Sequence, residues 1–324
     1  MKYRHLTQEQ RYEIRIKQAE GLSHSAIAAH IGKDKSTISR ELKRNTGLRG
    51  YRPKQAQEKA SIRQASKPRV ERFTTAIRAE VETLIRQDFS PEQIVGRAKY
   101  DGKTMVSHER IYQHIWSDKR SGGDLCTHLR HAPKKRRKRY ASNDRRGQMP
   151  NKVSIEKRPR EVETRQELGH WEIDTVIGHS HQGAIVTVVE RTSRFTVIGC
   201  LCGKHAEALA DRTLEILMPY KEQVRSMTSD NGKEFAQHER IAKVLEAAFY
   251  FAHPYHSWER GTNENTNGLI RQYFPKSMCL DSITQADCQK IMDILNNRPR
   301  KVLGFRTPNE VFFSNNLRTV ALAT

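Results

Sequence analysis

From about residue 170 onward the chain alternates two kinds of segment, and this alternation constrains its fold more than any other feature. Short runs rich in β-branched and apolar residues (HWEIDTVIG, GAIVTVVE, FTVIGCLCG, VRSMTSD and AAFYFAH) are separated by stretches with helical spacing. Runs of that length bounded by turn residues read as strands, and strands interleaved with helices indicate an α/β domain. The preceding part, up to about residue 130, reads as short helices with little strand signal. Between the two lie the basic run PKKRRKR at 133–139 and polar, breaker-rich sequence to about residue 160. No internal repeat with a solenoid period is visible.

Charge narrows the partners. Lys and Arg outnumber Asp and Glu by 58 to 37, a net charge of +21. Such a surface attracts polyanions, of which nucleic acid is the usual one. A membrane is the other, but no apolar run approaches the ~20 residues of a transmembrane helix. The charged start, MKYRHLTQEQRYEIR, has no apolar signal-peptide core, so the expected site of action is inside the cell. The five cysteines agree: only Cys200 and Cys202 lie close together, on one face of an expected strand, and they read as small apolar residues.

The N-terminal helices have the spacing of a helix-turn-helix. Thr7 with Gln10 makes a capping box, a second helix starts at Ser23, Gly32 turns the chain, and a third helix begins near Asp34. On that third helix Ile38 and Leu42 share an inward face, leaving Lys35, Ser36, Thr37, Arg40 and Arg44 outside. In such a motif the N-terminal part of the second helix meets base edges, where Arg grips guanine and Ser or Thr bonds bases or phosphates. A second unit is expected at 90–116. Ser90-Pro91-Glu92-Gln93 starts one helix, Asp101-Gly102 turns the chain, and Ser107 caps another helix. There Ile111 and Ile115 face inward and His108, Arg110, Gln113 and His114 outward. Lys134, Lys135, Arg136 and Arg137 in the basic run serve as linker and non-specific phosphate contact alike. The expected domains are a helix-turn-helix domain at 1–66, a second helix-turn-helix-like domain at 67–131, a linker at 132–160 and an α/β domain at 161–324.

Three acidic residues stand out by setting. Asp174 lies inside an apolar strand, where a charge is costly unless paired or bound to a metal. Asp230 ends another strand and is followed by the turn Asn231-Gly232, so it can point into the cleft where α/β proteins bind ligands. Glu264 lies 34 positions later, early in a helix that also carries Asn267 and Arg271 on the same face. Convergent carboxylates suit Mg²⁺, and two such ions ~3.5–4 Å apart can hold the attacking and leaving oxygens of a phosphoryl displacement. Arg271 is placed to contact a phosphate. Glu172 points to the same strand face as Asp174, and periodicity does not choose between them.

Several segments then resemble, in order and over almost the whole chain, the DDE transposases of the IS30 insertion-sequence family. These are STISRELKRN, SPEQIVGR with VSHERIYQHI, WEIDTVIG, SDNGKEF, HPYHSWERGTNENTNGLIRQYFPK and LNNRPRKVLGFRTP. The resemblance implies a multidomain protein in which α-helical helix-turn-helix domains precede an RNase H-like (integrase) core of five strands. It implies a triad of Asp174, Asp230 and Glu264 rather than Glu172, with two Mg²⁺ or Mn²⁺ ions per active site. The implied partner is double-stranded DNA, comprising the element's terminal inverted repeats and its target, bound in the bacterial cytoplasm at the nucleoid by a homodimer or larger assembly. Ile173 stands where the family more often has Gly, at a position expected to face away from the metals. Two other readings compete. A transposase-derived regulator would have a damaged triad, and an RNase H-like nuclease would not need two DNA-reading segments.

Overall fold

The helical starts anticipated from capping residues are all present in the computed structural model, which describes residues 5–66, 72–130, 150–201, 203, 205–254 and 256–321. The chain divides into two compact units, Met1–Arg72 and Phe73–Thr324. In the first, α1 (Gln8–Ala19) opens on the Thr7–Gln10 capping box. Ser23 caps α2 (His24–His30) and Asp34 caps α3 (Lys35–Asn45). Gly32 takes a left-handed φ of 62° between them, a conformation that glycine adopts without a Cβ clash. A fourth helix, α4 (Pro53–Ala65), completes a small core of Ile14, Ile27, Ile38, Leu42 and Ala56. A buried Arg11–Glu41 pair at 2.8 Å ties α1 to α3, and the Tyr51 hydroxyl donates to the same carboxylate.

The second unit begins with α5 (Thr75–Arg86), α6 (Pro91–Tyr100) and α7 (His108–Arg120). They enclose their own apolar cluster, in which Ile85, Ile111 and Ile115 are fully buried. These helices dock on the C-terminal part of the unit. Arg97 forms a two-pronged pair with Glu310 at 2.7 Å, the Gln93 amide donates to the Pro299 carbonyl, and bare Gly96 lets the Phe305 ring approach. His114, expected on the outer face of α7, instead packs edge-on against Phe73 and bonds Glu82 at 2.8 Å. Helical periodicity places it near the boundary of the buried face, and the aromatic neighbour draws it inward.

The five apolar runs become β1 (His170–Ile177), β2 (Ala184–Glu190), β3 (Thr196–Leu201), β4 (Ser226–Ser229) and β5 (Ala248–Phe251). They form one mixed sheet in the order β3-β2-β1-β4-β5, with β1–β2–β3 antiparallel and β1–β4–β5 parallel. Around the sheet lie the single turn α8 (Glu161–Thr164), α9 (Ala206–Leu217), α10 (His238–Leu245), α11 (Gly261–Ile270), α12 (Gln285–Asn296) and α13 (Pro308–Ala321). Odd-numbered β1 residues Trp171 and Ile173 are fully buried in the main apolar cluster, so Ile173 does face away from Asp174. Trp171, Phe195 and Phe312 anchor that cluster, with the last two rings stacked at 4.3 Å. The residues just before the core run along β5: Ser154 bridges Phe251, and the Phe251 N–H donates to Val153. Their polar composition reads as linker because backbone pairing needs no apolar side chain.

Candidate active site and nucleic-acid faces

The register of β1 with β4 sets the site. His170 pairs with Ser226, Trp171 with Met227 and Glu172 with Thr228; the same offset carried two residues further puts Asp174 level with Asp230. Both lie on the sheet face covered by α11. Asp174 belongs to β1, with Thr187 opposite it on β2. Asp230 follows the last residue of β4, where its carboxylate accepts the Gly232 N–H at 2.8 Å and forms the turn expected from Asn231-Gly232.

The two carboxylates converge on one cation, the Arg260 guanidinium. Arg260 Nη1 lies 3.4 Å from Asp174 and Nη2 3.3 Å from Asp230. Asp174 also accepts from the Asn267 amide at 3.0 Å and from the Thr175 N–H at 2.9 Å. Burial and the neighbouring Asp230 charge push the Asp174 carboxyl up to about 6, against the opposing pull of Arg260. Its side chain is still 22% exposed, and that of Asp230 36%, so a solvent-borne cation can reach both.

Glu264 is exposed on α11, four residues after Arg260 and three before Asn267, and both of those neighbours touch Asp174. Its carboxylate makes no hydrogen bond among the described residues. Arg271, one helical step beyond Asn267, donates to the carbonyls of Ile177 at 2.8 Å and Phe274 at 3.4 Å. It thus braces the end of β1 against the end of α11.

Glu172 is in a different situation from Asp174. It is fully buried, pairs with Arg191 at 3.4 Å and accepts the Asn263 N–H at 2.8 Å. That amide belongs to the first turn of α11, where a negative charge is favoured by the unpaired N–H groups and the helix dipole. Arg191 and Arg158 both bind Glu163, and Arg158 also donates to Thr228 on β4. Glu172 therefore fixes the start of α11 to the sheet. Thr187 adds a second tether, its hydroxyl donating to the Asn267 side-chain oxygen at 2.9 Å and lying 3.2 Å from that of Asn263.

Arg260 is not among the residues that spacing singles out, although its place four residues before Glu264 is a usable signal. The turn that delivers it is braced by His253, whose two ring nitrogens lie 2.8 Å from Glu259 and 3.2 Å from Glu156. The Glu259 carboxylate holds this imidazole above its ordinary pKa.

Of the expected DNA-reading residues of α3, Thr37, Arg40 and Arg44 line one open cavity, while Lys35 and Ser36 stand at the start of the helix. Lys35, Ser36, Arg40 and Arg44 are exposed, and Thr37 is half-buried. Arg40 folds back on its own helix, donating to the Ser36 carbonyl at 2.9 Å and hydroxyl at 2.5 Å. On α7, His108, Arg110 and Gln113 are exposed, and the Arg110 guanidinium sits 5.1 Å over the Phe73 ring. Lys134, Lys135, Arg136 and Arg137 lie outside the described residues, as does Cys202; Cys200 is half-buried on β3. Among the described residues no helix is long and apolar enough to cross a membrane.

Residues 2–45 match a helix-turn-helix domain model and residues 164–257 an integrase core domain model. The chain is 48% identical over 311 residues to the transposase for insertion sequence element IS4351 of Bacteroides fragilis, covering 95% of each protein. It is 39% identical over 323 residues to transposase InsI for insertion sequence element IS30A of Escherichia coli strain K12, covering 95% of this chain and 83% of that one. Identity to the transposase for insertion sequence element IS1086 of Cupriavidus metallidurans is 38% over 320 residues, or 96% of this chain and 94% of that one. Among solved structures, the catalytic core domain of BIV integrase aligns with 47% of this chain and 97% of its own, at 22% identity and a TM-score of 0.37.

Proposed function

Since the chain belongs to the IS30 family of insertion-sequence transposases, we propose that Asp174, Asp230 and Glu264 hold the divalent metal with which it cuts and joins DNA at the ends of its own element. It is a DNA-binding transposase with an integrase-type catalytic core, and the chemistry is that of a polynucleotidyl transferase. One observation carries the residue assignment: Asp174 and Asp230 arrive from adjacent parallel strands at a single cation, beside the helix that bears Glu264.

The donor set fits Mg²⁺ or Mn²⁺. It is made of hard carboxylate oxygens, it already accommodates a positive charge at Arg260, and it is open to solvent. When bound there, as a pair of ions, such cations supply charge neutralisation and Lewis acidity for in-line phosphoryl displacement. The chain's own residues do the positioning. Glu172 and Thr187 lock α11 to the sheet, Asn267 orients Asp174, and the Asx turn at Gly232 orients Asp230. Were a metal to take over Asp174 and Asp230, Arg260 beside them would be available to a DNA phosphate.

In this scheme water first attacks the phosphodiester at the transposon 3′ end and the 3′-hydroxyl leaves. That hydroxyl then attacks a phosphodiester of the target and expels the target strand's own 3′-hydroxyl, so the strands join with no covalent enzyme intermediate. The exposed residues of α3 read the terminal inverted repeats, with Arg40 as the main base contact, while the α7 face and Lys134–Arg137 add grip. Two ends must meet, so the working species is a dimer or larger. A regulator that had lost catalysis would have no reason to retain all three of Asp174, Asp230 and Glu264 in its sequence.

The test is a nicking and joining assay on a labelled transposon end. Asp230→Asn should abolish both reactions in Mg²⁺ while leaving affinity for end DNA nearly unchanged. Undiminished nicking by this variant would refute the assignment.

A further inference from the structure

Beside the stripe that meets the carboxylates, α11 has a second exposed flank formed by Asn265 and Gly268. Arg130 lies over it, with Nη2 3.4 Å from the Asn265 side-chain oxygen and 3.5 Å from where a Cβ at Gly268 would sit. Asn265 follows Glu264 about 100° further round the helix, so this flank adjoins the stripe that carries Glu264. It borders a cavity of about 270 Å³ that is also lined by Arg298 and Arg300.

These three guanidiniums have mostly neutral acceptors: Arg298 donates to the Gln272 side-chain oxygen at 3.2 Å and to the Tyr273 hydroxyl, and Arg300 to the Leu295 carbonyl at 2.9 Å. Arg298 is 2% exposed, and the Nε atoms of both Arg298 and Arg300 are buried without a hydrogen-bond partner among the described residues. Arg298 has Asp88 at 3.8 Å, but that carboxylate already serves His128 at 3.1 Å and the Tyr273 hydroxyl at 2.9 Å. Glu92 is taken by Lys301. Arg130 and Arg300 have no carboxylate partner among the described residues. Burial, with the charges of Arg298 and Arg130, pushes Arg300 down to about 9, and burial beside Arg298 also lowers Arg130. Like charges gathered and partly desolvated are costly unless an anion joins them. Planar N–H forks match a phosphate's oxygens.

We propose that Arg130, Arg298 and Arg300 form a phosphodiester-binding site for the DNA strand that passes over α11 next to Glu264. The inference rests on reading Glu264 as part of the place where DNA is cut. It assigns the three arginines the task of holding a flanking phosphate while the scissile one sits at the carboxylates.

The experiment measures binding of the full-length protein to a duplex of the element's terminal sequence by fluorescence anisotropy, in EDTA and over a range of KCl. Each phosphate contact contributes about 0.9 to the slope of log K against log salt. Because the three arginines share one phosphate, Arg130→Gln and Arg300→Gln should each lower that slope, by at most about 0.9. Arg240→Gln, which removes an exposed arginine paired with Asp211 at 2.6 Å, should leave it unchanged. An unchanged slope in Arg130→Gln would overturn the proposal, as would an equal fall in Arg240→Gln, which would indicate a diffuse charge effect. Arg130 is exposed, so its variant keeps the test decisive even where Arg300→Gln fails to fold. No metal is present, so the result is independent of the nicking assay on Asp230→Asn, and either reading can fail alone.

Discussion

Glu172 and Asp174 sit two residues apart on one strand face, and replacing each by its amide should give opposite results. In Glu172→Gln the fully buried carboxylate that pairs with Arg191 and accepts the Asn263 N–H loses its charge. Breaking a buried ion pair from one side costs ~3–5 kcal/mol, because the other charge stays buried. Arg191 keeps one partner, Glu163, which is itself 61% exposed. The low end, ~3 kcal/mol, is therefore expected. For a unit of this size, ~2–4 °C per kcal/mol translates that into a melting-temperature fall of ~6–12 °C. Asp174→Asn behaves differently. Its carboxyl is already pushed towards neutrality, and Arg260 retains Asp230, so stability should shift by ~1 kcal/mol or less. Thermal denaturation by circular dichroism reads the first quantity, and nicking of labelled end DNA in Mg²⁺ at a temperature where both variants are folded reads the second. Glu172→Gln should melt early yet nick when folded, and Asp174→Asn should melt normally and not nick. A normally stable, inactive Glu172→Gln alongside an active Asp174→Asn would refute the reasoning.

Three further outcomes follow from the geometry. Arg260→Gln removes the cation that shares Asp174 and Asp230, so Mn²⁺ should raise the melting temperature of this variant more than that of the unaltered protein; equal shifts would show that Arg260 does not compete with metal. Arg40→Ala should cost ~1–3 kcal/mol of discrimination at one base pair of the terminal repeat, seen as a relaxed preference in competition binding. A uniform loss across unrelated DNA would reduce Arg40 to a phosphate contact. Gly96→Ala places a Cβ 2.2 Å from the Phe305 ring, an overpacking worth ~1–3 kcal/mol. An unchanged melting temperature would argue against close docking of α6 on that loop.

Much of the architecture was legible in order and type. The caps at Thr7, Ser23, Asp34, Ser90 and Ser107 all open helices, because capping is a local hydrogen bond between neighbours in the chain. The five apolar runs are the five strands, because alternation and β-branching act over a few residues. Chain order alone also marked Asp174, Asp230 and Glu264 as acids in unusual settings. What sequence did not determine is which charges face each other across the fold. The register of β1 on β4 brings Asp174 level with Asp230, whereas Glu172, on the same strand face, is sealed under α11 with Arg191. Helix α11 itself buries Thr262, Asn263 and Thr266, a polar face that periodicity rules misread because the sheet surface beneath it is polar too. Arg260 between the carboxylates and the gathering of Arg130, Arg298 and Arg300 join residues distant in the chain. Burial and Coulomb interaction depend on distance in space, and only the tertiary structure decides that distance.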